Sequence, residues 1–120
     1  MSQACTQAPK VMKDLPPEAF STSLAEKKDA ILVDVRTPAE WEEGYIKGAL
    51  LMNFRDQDFK SQIEDLDKTK AVFVYCMGGG RSGKTANMLH EMGFSEVYNL
   101  EGGLTAWKEV IGEADLQKPE

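Results

Sequence analysis

Little in this chain of 120 residues suits it to bind a metal or to be stapled by disulfides. It has 2 cysteines, Cys5 and Cys76, no Cys-x-x-Cys pair, and 1 histidine, His90. That scarcity excludes the zinc ribbon and finger patterns and the disulfide framework of a small secreted scaffold. No apolar run approaches a membrane span, and the polar residues 1–10 lack the apolar stretch of a signal peptide, so a cytoplasmic location is expected. Positive charge is in deficit too: 14 Lys and Arg stand against 20 Asp and Glu, a net charge of −6. Neither nucleic acid nor a membrane is therefore an expected partner, and an anionic substrate has to be held by local dipoles. Repeats, linkers and low-complexity tracts are missing as well. The expected organisation is a polar leader at 1–10, one domain at 11–113 and a C-terminal tail at 114–120. Cys5 falls in the leader and reads as incidental.

What is present is an alternation of apolar runs with helical patterns. Val11 and Met12 start a short strand, and a helix opens at Pro16-Pro17 and runs to about Lys27. An apolar strand at 30–34 ends on Asp34. Thr37 then reads as an N-cap, with Pro38 at the first helical position and Glu40 closing a capping box, in a helix ended by Gly44. Further strands are expected at 48–52, 71–75 and 96–100, with helices at 54–66, from Ser82 to the stop at Gly93, and after Gly102-Gly103, where Leu104, Trp107 and Val110 or Ile111 share a face. Trp41 and Trp107 are expected to anchor the core, and His90 to be a solvated helix residue. The expected fold class is α/β, a single domain with a mainly parallel five-stranded sheet and helices on both faces.

The chemistry concentrates at one strand end. Cys76 follows the apolar run Ala71-Val72-Phe73-Val74-Tyr75 and precedes Met77-Gly78-Gly79-Gly80-Arg81-Ser82. Ligands of open α/β sheets bind beyond the carboxyl ends of such strands. Three consecutive glycines let the backbone take left-handed angles and turn successive N–H groups toward one point. Those groups, the following helix N-terminus and the Arg81 guanidinium all favour a thiolate at Cys76. The alternative for a lone strand-end cysteine is inert packing, which has no use for the glycines or the arginine.

Gly78-Gly79-Gly80-Arg81-Ser82-Gly83-Lys84-Thr85 also matches the phosphate-binding pattern Gly-x-x-x-x-Gly-Lys-Thr. A nucleotide site of that kind needs a later strand ending in a magnesium-binding acid; the strand at 96–100 ends with Asn99 and Glu101 to hand, and Cys76 is left unexplained. Nucleotide binding is thus the weaker reading.

Cys76 to Arg81 form a six-residue Cys-x4-Arg turn, and here the chain resembles the rhodanese-like sulfurtransferases. Asp34-Val35-Arg36-Thr37-Pro38-Ala39-Glu40-Trp41 through Gly48-Ala49 resembles that family's N-terminal signature, and Glu101-Gly102-Gly103-Leu104-Thr105-Ala106-Trp107 its C-terminal one. Tyr45 departs from the family's usual histidine, a change expected to alter packing. The resemblance implies a Cys76 nucleophile that takes a sulfane sulfur from thiosulfate or a persulfide, becomes a persulfide, and passes the sulfur to a thiol or cyanide, with no metal or organic cofactor. It also implies that Arg81 binds the leaving anion and that N–H groups from Met77, Gly78, Gly79, Gly80 and Ser82 hold the sulfur. Related phosphatases and arsenate reductases use a longer Cys-x5-Arg turn, which makes that activity a weak alternative. Asp34 and Arg36 are supporting candidates, either holding the turn or capping the neighbouring helix and pairing with Glu40. Lys84 is either a source of positive potential at the mouth or a plain surface lysine. The turn lacks a second cation, which favours a persulfide or protein-borne donor. A sulfur carrier or docking module with one protein partner is the alternative from another class.

Overall fold

The computed structural model describes residues 10–119. Five strands form one parallel sheet: β1 (Val11–Leu15), β2 (Ile31–Asp34), β4 (Leu50–Leu51), β5 (Ala71–Tyr75) and β6 (Glu96–Leu100), in the spatial order β1-β6-β5-β2-β4. The helices are α1 (Pro17–Glu26), α2 (Pro38–Trp41), α3 (Phe59–Glu64), α4 (Gly80–Glu91) and α5 (Gly103–Val110). A two-stranded antiparallel ribbon, β3 (Tyr45–Ile46) with β7 (Leu116–Gln117), stands apart from the main sheet.

The central strand β5 is buried at every residue, as a parallel strand covered on both faces must be. Its alternation sorts the core into layers. Val72, Val74 and Cys76 join Phe59, Ile63, Ala86 and Leu89 under α3 and α4. Ala71, Phe73 and Tyr75 join Phe20, Leu104 and Trp107 under α1 and α5. In the second layer Phe20 meets Phe73 edge-on at 5.3 Å and Tyr98 stacks on Phe73 at 4.8 Å. Helices therefore cover both faces of a parallel sheet, as expected.

Several expected boundaries move. The helix expected at 54–66 is α3 alone, because Asn53 Oδ1 accepts the Arg55 N–H at 2.9 Å and Asp56 N–H bonds the Asn53 carbonyl at 3.0 Å, so the chain turns first. The strand expected at 48–52 shrinks to β4, whose parallel register with β2 covers two pairs, Val33 with Leu50 and Asp34 with Leu51. The helix expected from Ser82 is α4, which begins at Gly80. It ends as expected at Gly93, with Gly93 N–H on the His90 carbonyl and Phe94 N–H on the Leu89 carbonyl, both at 3.1 Å. The segment 114–120, set apart above as a tail, carries β7, which pairs with β3. Trp107 is buried, but Trp41 is half-buried, and His90 is half-buried with its Nδ1 out of water. Cys5 and the leader up to residue 9 lie outside the described residues. Among the described residues no helix is long and apolar enough to cross a membrane.

Candidate active site

The alternation of β5 carries Cys76 into the interior, where the residue is 1% exposed. Burial alone raises a thiol pKa. The turn reverses that. Gly79, at φ +105°, takes a backbone conformation that a side chain would strain, and directs its N–H at the Cys76 Sγ, 3.0 Å away. The buried Ser82 adds its hydroxyl at 3.4 Å and its N–H at 3.5 Å. Burial is the largest single influence and pushes the thiol up. The Ser82 hydroxyl, then the N–H groups of Ser82, Gly79 and Gly78, together outweigh it and bring the Cys76 pKa below its ordinary value of 9.0. The first turn of α4, which carries Ser82, lies on the same side.

The turn is braced from outside. The start of α5 donates to it twice: Leu104 N–H to the Cys76 carbonyl at 2.9 Å and Thr105 N–H to the Met77 carbonyl at 3.1 Å. This approach needs Gly103, at φ +63°, because a Cβ there would overlap the Met77 carbonyl oxygen and stand 2.7 Å from that of Cys76. The Gly-Gly pair opening α5 is thus where one backbone seats against another.

Of the residues singled out from sequence, the structure brings Gly78, Gly79 and Ser82 to the sulfur. Met77 packs its half-buried side chain toward the α1/α5 layer, and the exposed Gly80 opens α4. Arg81 gives a bidentate ion pair to Glu40, with Nη1 to Oε1 at 2.7 Å and Nη2 to Oε2 at 2.9 Å. Glu40 Oε1 also accepts the Thr37 N–H at 3.1 Å, the bond expected of a capping box. The missed partner has a topological origin. Strands β2 and β5 are neighbours in a parallel sheet, so α2, which follows β2, and the turn after β5 emerge side by side. The signal was an arginine in need of a counter-ion beside a helix carrying an acid.

Arg81, first by its hydrogen bonds, and Thr37 to a smaller degree hold the Glu40 carboxyl down to about 2 from 4.5, against opposition from burial. A carboxylate depressed on folding stabilises the fold fully above its unfolded value, and that contribution is lost as pH falls through the folded value. Wild type should therefore exceed Glu40→Gln in stability near neutral pH, by about 1 kcal/mol after allowance for the pair's partial exposure. Urea midpoints measured between about pH 6 and pH 2 should converge as the pH passes from about 4.5 down to about 2.

Asp34 and Arg36, expected to hold the turn or to cap the neighbouring helix and pair with Glu40, have each other as their main partners. They form a closed pair, both side chains 0% exposed, with Arg36 Nη2 on Asp34 Oδ2 at 2.8 Å and Nε on Oδ1 at 3.0 Å. Arg36 Nη2 also donates to the Gly44 carbonyl at 2.7 Å, which ties β2 to the chain end of α2, and the guanidinium sits 5.9 Å from the Tyr75 ring centroid. Glu40, their expected partner, goes to Arg81. Removing one member leaves a buried charge uncompensated, so Asp34→Ala should lose about 3–5 kcal/mol of stability in chemical denaturation.

The phosphate-loop reading fails on geometry. The helix begins within that motif at Gly80, the converging N–H groups are taken by Sγ, the Thr85 hydroxyl donates back to the Arg81 carbonyl at 2.9 Å, and Lys84 is exposed. Among the described residues no group of three or more His, Cys, Asp or Glu side chains is placed to hold a metal ion.

A parallel α/β sheet with a cysteine cradled by backbone N–H groups at the end of its central strand defines a class of cysteine-centred anion-cradle domains. Comparison with known proteins is specific within that class. A sequence model of the Rhodanese-like domain matches residues 17–110, and the chain belongs to that family. It is 38% identical over 95 residues to the thiosulfate sulfurtransferase GlpE of Coxiella burnetii, covering 79% of this chain and 87% of that one. It is 34% identical over 97 residues to a sulfurtransferase of Allochromatium vinosum, covering 81% and 89%. Its structure superposes on a rhodanese-like domain protein from Staphylococcus aureus with a TM-score of 0.76 at 30% identity, over 91% of this chain and 100% of that one.

Proposed function

We propose that this protein is a sulfurtransferase that moves a sulfane sulfur through a persulfide on Cys76. The observation that carries the reading is the convergence of Gly79 N–H, Ser82 N–H and Ser82 Oγ–H on a buried sulfur. In the first half-reaction the Cys76 thiolate attacks the outer sulfur of the donor. With thiosulfate, the donor S–S bond breaks, its electron pair leaves with sulfite, and Cys76 becomes a persulfide anion. The same donors that favour the thiolate then hold the charge of the outer sulfur, in the manner of an oxyanion hole. In the second half-reaction a thiolate or cyanide attacks that outer sulfur, the Cys76 S–S bond breaks, and the pair returns to the cysteine. The scheme is covalent catalysis in two halves and requires ping-pong kinetics.

The donor class follows from charge. Arg81 is the only cation of the turn, and Glu40 already neutralises it through a bidentate pair. A dianion such as thiosulfate gains less from a paired arginine than from a free one. The reading is therefore that a low-molecular-weight or protein-borne persulfide is the preferred donor. Thiosulfate should serve more weakly, and a sulfur-accepting protein thiol is the natural acceptor. Steady-state rates with glutathione persulfide and with thiosulfate, each against cyanide, test both parts. Parallel double-reciprocal lines and the higher kcat/KM with the persulfide are expected. Intersecting lines would sink the covalent scheme, and a preference for thiosulfate would sink the donor assignment.

A further inference from the structure

Asn99 is a buried polar side chain beside the turn that the scheme above does not use. It lies near the carboxyl end of β6, hydrogen-bonded to β5 on one side and to β1 on the other, and is 6% exposed. Its Nδ2 donates to the Asp14 Oδ1 at 3.1 Å and to the Gly79 carbonyl at 3.4 Å. Both acceptors are oxygens with no proton to give, which fixes the end of the amide that faces them. The Oδ1 of Asn99 is buried with no donor among the described groups. A buried acceptor without a donor opposes folding, so the benefit of an amide here has to come from what Nδ2 holds.

What it holds is Gly79, the residue whose N–H makes the shortest of the sulfur's hydrogen bonds, 3.0 Å against 3.4 and 3.5 Å. The Gly79 carbonyl also accepts the Gly83 N–H at 2.9 Å, the first rung of α4. A glycine at φ +105° has wide conformational freedom unless its peptide groups are tied. The parallel register sets Asp14 of β1 opposite Asn99, and the exposed carboxylate reaches the amide from the surface. Asp14, Asn99, Gly79 and Gly83, with Lys13 and Asn87, line an open cleft of about 280 Å³ behind the turn.

We propose that Asn99, oriented by Asp14, is a positioning residue for the reaction: it pins the Gly79 carbonyl and so aims the Gly79 N–H at the Cys76 sulfur. The assignment rests on Cys76 being the reacting sulfur. Its effect passes through the turn and leaves the charged groups facing it, Arg81 and Glu40, in place.

The test is the pH profile of Cys76 alkylation by iodoacetamide, in a Cys5→Ser background so that one thiol is read. Asn99→Leu should raise the midpoint by about half a pH unit, as expected when a hydrogen bond to a thiolate is loosened rather than deleted. Asp14→Leu should raise it in the same direction, whereas Asp14→Asn, which keeps an oxygen acceptor, should not. Charge loss alone would lower the midpoint, so the sign separates orientation from electrostatics. If Asn99→Leu and Asp14→Leu titrate as wild type, even with lower melting temperatures, Asn99 is packing and the proposal is overturned. Should Asn99→Leu fail to fold, the two Asp14 variants, changed at an exposed position, decide the matter by the same criterion. Alkylation needs neither sulfur donor nor acceptor, so this outcome is independent of whether the transfer reaction is found.

Discussion

Cys76→Ser is expected to lower sulfur transfer by on the order of 10⁴-fold or more, with the fold intact. The substitution keeps the size of a buried group that is 1% exposed, and it keeps the bonds from Leu104 and Thr105 that brace the backbone around it. What it removes is the sulfur. A serine hydroxyl in the same cradle is protonated near neutral pH and has no base aimed at it. The groups that act on Sγ, the N–H groups of Gly78, Gly79 and Ser82, the Ser82 hydroxyl and the Arg81 guanidinium, are donors, none of which can accept that proton at physiological pH. Rates with each donor, together with a thermal melt, decide the case. A variant that folds like wild type and transfers sulfur like wild type would remove Cys76 from the mechanism.

Gly103→Ala should also be strongly damaging, to a smaller degree and for a different reason. An alanine at φ +63° is strained by about 1–2 kcal/mol. Its Cβ would also overlap the Met77 carbonyl, so either α5 withdraws or the turn shifts. Both responses break the bonds from Leu104 N–H and Thr105 N–H to the Cys76 and Met77 carbonyls. The expected outcome is a loss of at least about 10²-fold in kcat/KM, the size of effect that misplacing a reacting group by about 1 Å produces, together with a slower alkylation of Cys76. The crystal structure or amide exchange of the turn in this variant would show the displacement directly. Wild-type rates in Gly103→Ala would mean that the α5 seat does not govern the site.

These two residues also mark how far the sequence could be read. Cys76 was legible because β5 is the central strand, and a strand buried on both faces writes itself as an unbroken apolar run ending at the reactive turn. Gly103 was legible as the lead-in to the last helix and as part of a family signature; its contact with Met77 joins chain segments that no local pattern connects. The same holds for Glu40. Its capping bond to Thr37 is local and was expected, while its pair with Arg81 arises from the neighbouring placement of β2 and β5. Asp34 and Arg36 illustrate the converse. The sequence offers both as supporting candidates, but their closed pair is formed with each other, and nothing in the spacing tells that apart from contact with the turn. Helix α3 was overextended because Asn53 offers its own turn to the backbone, a competition that apolar periodicity does not register. β7 escaped notice because two residues acquire strand geometry from pairing with β3 and not from their own propensity.

The central claim is that Cys76 accepts a sulfur atom, and the most direct measurement is the intact mass of the reduced protein after incubation with glutathione persulfide or thiosulfate, donor removal and no further reductant, beside Cys76→Ser. The account predicts a gain of one sulfur atom on the wild type alone, reversed by cyanide. No gain with either donor, or an equal gain on Cys76→Ser, would contradict it.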